Sequence, residues 1–164
     1  MKRKALLATA GGIMTLLVGF LAIIEFFECE FLPDLRGEWL IDNLVESTTF
    51  QPYENMQLSF RIFVQQECKK ITGQGEKWSV NGEEVIPQAR SPIFLEGILE
   101  DGKLRATFKE NGEQRATMGE FIWNVSSDGN SIEGKFTNTA ADSRGTSNGT
   151  KVSGEPLGLA GSQR

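Results

Sequence analysis

Four turn dipeptides punctuate the chain: Asn81-Gly82, Asp101-Gly102, Asn111-Gly112 and Asp128-Gly129. Each pairs two residue types that tolerate positive φ, as tight hairpin turns require. Between them the apolar residues alternate with period two. Met56, Leu58, Phe60, Ile62 and Val64 form one such run, and no long 3.6-residue period follows residue 35. Alternation with frequent hairpins implies an antiparallel meander with one face buried and one wet.

The turns also constrain pairing. Asp101-Gly102, read as a bulged three-residue loop, sets Leu99, Gly97 and Leu95 opposite Leu104, Ala106 and Phe108. Asn111-Gly112 as a tight loop puts Arg115 opposite Phe108 on the same inward phase. A bulged loop at Asp128-Gly129 then sets Val125, Trp123 and Phe121 opposite Ile132, Gly134 and Phe136. Trp123 across from Gly134 suggests a glycine making room for a ring. With residues 36–44 opening the sheet, a hairpin at 71–86 and 146–152 closing it, the count is eight or nine strands. A meander of that size removes its exposed edges by closing into a barrel.

Ahead of this region lies an uncharged run, residues 5–24. As a helix it is about 30 Å long, a bilayer core's thickness. Lys2, Arg3 and Lys4 precede it, whereas Glu25, Glu28, Glu30 and Asp34 follow, so the positive-inside rule keeps the N-terminus cytoplasmic and sends the rest across. No small-residue cleavage site follows the run, which favours an uncleaved anchor. Gly11, Thr15 and Gly19 repeat at four-residue spacing, as in helices that self-associate in lipid. The expected organisation is an anchor over 1–27, a linker over 28–35, a barrel over 36–152 and an unpacked tail over 153–164. The fold class is all-β, an up-and-down antiparallel barrel of about eight strands preceded by one transmembrane helix. The expected placement is a single-pass protein of the bacterial inner membrane with the barrel outside the cytoplasm.

Composition narrows the chemistry. The absence of histidine removes every mechanism that needs an imidazole, and two cysteines are too few for a four-thiolate metal site. The net charge of −5 already includes the three basic residues before the anchor, so the remainder is more acidic still and ill suited to a nucleic-acid polymer. The adjacent carboxylates Glu83-Glu84 and Glu100-Asp101 fall at turns, and no facing pair lies inside. The expectation is a non-enzyme with no cofactor and no metal. Cys29 and Cys68 are as compatible with a disulfide as with two thiols.

Gly37-Glu38-Trp39 opens the first strand, and a Gly-x-Trp there followed by about eight strands resembles the lipocalin and calycin group of small-molecule-binding barrels. That resemblance implies a basic side chain packed across Trp39 to close one end. Strand parity nominates Arg115 for that role. It also implies an open mouth at the other end under the long connection 45–55, with Phe50 and Tyr53 at the entrance. Arg115 is the candidate for a ligand's charge if it lies at the mouth instead. The layout is also similar to bacterial anti-phage effectors that join membrane helices to a nucleotide-sensing β-barrel. Gly134-Lys135-Phe136-Thr137 and Arg144-Gly145 carry that likeness, although those effectors have two membrane helices. Three functions remain open at this point. One is an envelope barrel binding a small apolar ligand or a protein partner, another an effector sensing a cyclic nucleotide, and the last a structural barrel without a ligand.

Overall fold

The computed structural model describes residues 29, 31–113 and 115–153. The run 5–24 with Gly11, Thr15 and Gly19, and the tail beyond residue 153, lie outside the described residues. Among the described residues, no helix is long and apolar enough to cross a membrane. The chain divides into two units, Met1–Leu32 and Pro33–Arg164.

Among its described residues the second unit contains nine strands: β1 (Gly37–Ser47), β2 (Gln57–Glu67), β3 (Lys70–Val80), β4 (Glu83–Glu84), β5 (Pro92–Glu100), β6 (Lys103–Asn111), β7 (Ala116–Val125), β8 (Ser131–Asn138) and β9 (Arg144–Ser153). Each long strand pairs antiparallel with the next, and β9 returns to pair with β1. The result is a closed eight-strand up-and-down barrel, because β4 spans two residues and pairs only with the end of β3. Closure leaves no full-length strand with an unpaired edge.

Most of the expected registers hold. Leu99 faces Leu104, Gly97 faces Ala106 and Leu95 faces Phe108. No bulge is needed, because Glu100 pairs with Lys103 across a two-residue turn in which Asp101 and Gly102 both have positive φ. Val125, Trp123 and Phe121 face Ile132, Gly134 and Phe136. The hairpin at Asn111-Gly112 differs. The Gly112 N–H donates to the Arg115 carbonyl, which closes a four-residue loop, so Phe108 faces Gly119 rather than Arg115. A slip of four residues preserves the inward phase, which is why the downstream pairings survive.

The reason for Gly134 also differs from the expected one. A side chain there would collide with the Ile122 carbonyl and the Trp123 backbone, so the glycine permits close strand approach. At Gly119 both reasons apply, since a Cβ would collide with the Thr137 carbonyl and also sit 2.6 Å from the Phe108 ring.

Inward side chains divide the barrel along its axis. Near the end where β1 begins, Trp123 stacks on Phe121 at 4.2 Å and Phe121 on Phe108 at 4.5 Å. The Trp123 indole N–H donates to the Ser147 hydroxyl at 2.9 Å, which satisfies its one polar atom. Leu35 plugs this end, fully buried, and the Trp39 indole N–H donates to its carbonyl at 2.8 Å. Residues 33–35 therefore belong to the barrel unit, where a linker was expected. Beside them Arg36 hydrogen-bonds the Asp34 carboxylate through Nε and Nη2, holding its pKa down from 3.8 to about 2.

Candidate functional site

The expected closure of Trp39 by Arg115 is not what the barrel builds. Counting β4 as a full strand made the strand after Arg115 the seventh. It is the sixth that runs the length of the barrel, and an odd change in count moves its start to the other end. The cation over the Trp39 ring is Lys151 of β9, with Nζ 5.9 Å from the ring centroid and donating to the Asp34 carbonyl at 2.6 Å. A double-mutant cycle of Trp39→Phe with Lys151→Met is expected to show coupling of about 0.5–1 kcal/mol. The same cycle with Arg115→Ala should show none, and the reverse result would refute the register.

Arg115 instead stands at the opposite end with the long connection 48–56. There Arg115 and Tyr53 line one cavity of about 460 Å³. Phe50 packs edge-to-face on Tyr53 with centroids 4.9 Å apart and remains half-exposed at the rim. Phe50 and Tyr53, expected at the entrance, thus share this end with Arg115, which was expected at the other. A short 3-10 helix, Gln51–Tyr53, places Tyr53, and Pro52 in its first turn favours that start. The connection is tied down across the barrel, because the Thr49 N–H and the Thr48 hydroxyl both donate to the Ala141 carbonyl.

The opposite wall is the segment after β4. Val85 and Ala89 from this segment line the cavity. Arg90 fastens it, reaching Glu76 at 2.5 Å, Glu84 at 2.6 Å and the Val85 carbonyl at 3.0 Å. Glu84, expected to be a solvated turn acid, is exposed and bound in this latch. Val45, Met56, Leu58 and Val80 complete an apolar belt.

Below the belt lies a polar group that sequence reasoning missed. Lys77 and Glu110 both face inward, with Lys77 Nζ donating to Glu110 Oε1 at 2.6 Å. Their side chains are only 22% and 11% exposed. Glu110 was legible, because it extends the inward phase of Leu104, Ala106 and Phe108 by one step. Lys77 similarly extends Ile71, Gly73 and Gly75. A register shift between β2 and β3 then leaves Trp78 without a partner, and the inward phase resumes at Val80. Counted back from Val80, a period-two reading would put Trp78 inside instead, so the bulge makes the phase of Lys77 ambiguous. Asn43 also lies on the inward row, one step below Val45; it is 2% exposed, and its Oδ1 has no partner among the described residues.

No family model matches the chain, and no curated protein matches it. The site therefore rests on geometry. A larger furrow of about 660 Å³ crosses the outer face of β5 to β8, over Phe94, Lys109 and Met118. It is open, and Glu96, Lys109 and Glu120 alternate along it, so it lacks a coherent recognition surface. Among the described residues no cluster of His, Cys, Asp and Glu is suited to hold a metal ion. Neither cysteine is a free thiol: Cys29 and Cys68 are both disulfide-bonded.

Proposed function

We propose that this protein is a lipocalin-like barrel that takes a small ligand into its mouth, held at the bacterial envelope by its N-terminal anchor with the barrel outside the cytoplasm. The observation that carries the reading is the mouth cavity. Its volume of about 460 Å³ falls within the range of small-molecule sites, and its lining sets an apolar belt beside convergent polar side chains that include Lys77, Glu110, Glu113 and Arg115. Disulfide-bonded cysteines fit an oxidising compartment, which agrees with the orientation read from Lys2, Arg3 and Lys4. The aromatic stack favours a purely structural barrel, but it fills only the half of the interior around Trp123.

The test is to fill the mouth. Leu58→Trp should abolish uptake of an environment-sensitive apolar dye by the full chain while the circular dichroism spectrum stays that of the unaltered barrel. Dye uptake unchanged by the substitution would remove the mouth from consideration.

A further inference from the structure

The mouth has a charged floor, and this constrains what can lie deepest in it. Lys77 has three N–H donors and uses one on Glu110. Glu110 accepts that bond on Oε1, and no other bond to its carboxylate is made among the described residues. The pair is part-buried, so its remaining donors and acceptors are open to a polar group that enters the cavity and would otherwise be left to the little water there. Asn43 adds an unpartnered acceptor to the same inward surface. Immediately beneath, Phe108 begins the aromatic stack, so no tail can pass further down.

We infer that the mouth binds a short amphipathic molecule head first, with an uncharged donor–acceptor group of the primary amide kind on Lys77 and Glu110 and its apolar body against Tyr53, Met56, Leu58 and Val80. The charge of the floor decides the class. Lys77 and Glu110 sum to zero, as do Glu113 and Arg115 on the same lining, so a neutral head adds no uncompensated charge, whereas a carboxylate or an ammonium would bring one into a partly desolvated site. A primary amide supplies an acceptor for Lys77 and donors for Glu110. An alkyl tail entering first would strip water from the pair and return nothing. This inference rests on the mouth being a ligand site.

Octanamide, octanoate and octylammonium form a matched series. Each is titrated into the full chain in lipid nanodiscs, with lipid partitioning subtracted, while the Met56 methyl resonance is followed. Octanamide is expected to bind at least tenfold more tightly than either ion. The double substitution Lys77→Met with Glu110→Leu, which leaves no lone buried charge, should erase the discrimination. The exchanged pair Lys77→Glu with Glu110→Lys should retain it and guards against misfolding of the first variant. Equal affinities, a preference for either ion, or discrimination that survives the double substitution overturns the inference and leaves the mouth as a ligand site. No shift of Met56 with any of the three overturns both.

Discussion

Trp123→Ala should destabilise the barrel by about 3–5 kcal/mol, the range for removing a large buried aromatic side chain. Trp123 is 1% exposed, stacks on Phe121 at an interplanar angle of 11° and donates to Ser147, which is itself fully buried. Truncation removes the stacked surface and leaves the Ser147 hydroxyl without its donor, so the cavity and hydrogen-bond costs add. Glu133→Ala, outward-facing on the neighbouring strand, should change stability by less than about 0.5 kcal/mol. Urea denaturation of both variants checks the contrast. Equal midpoints would mean that the inward and outward faces have been interchanged.

Gly134→Val should have a comparable effect by a different route. The new Cβ would overlap the Ile122 carbonyl, a backbone atom that no rotamer change can move. Relief requires β7 and β8 to part where Trp123 and Gly134 pair, so the loss belongs at or above the top of the overpacking range, about 3 kcal/mol or more. Amide hydrogen exchange separates this from a general loss of stability. Protection should fall first at the amides of β7 and β8 around residues 122–134 and last between β1 and β2. Uniform loss around the barrel would contradict a local backbone clash.

The strand pairings were legible because both inputs to register are local: turn residues and alternation. Around Asp101-Gly102 the alternation of apolar residues selects Leu104 over Lys103 as the partner of Leu99, and the two-residue turn delivers that pairing without the bulge that was expected. The errors arose where a local signal has two structural outcomes. Asn111-Gly112 suits a tight turn, yet the chain closes a longer loop there through the Gly112–Arg115 bond. Glu83-Glu84 looks like a returning strand but pairs with two residues only. Register depends on a turn modulo two and tolerated the first error. The assignment of ends depends on the number of reversals and did not tolerate the second. Arg115 therefore changed ends, while Phe50 and Tyr53, placed by the long connection alone, stayed at the expected mouth. Lys77 and Glu110 belong to a third kind. Their charges suggest solvent, and only the phase of their strands places them inside.

Because β1 begins and β9 ends at the Trp39 end, the polypeptide enters and leaves the barrel on the side away from the mouth. A fluorophore, affinity tag or surface linkage placed just before residue 33 or just after residue 153 would emerge by Lys151 and Leu35, leaving the opening between Tyr53 and Val85 unobstructed. Immobilisation through either flank thus provides a practical format for presenting that opening to a compound library.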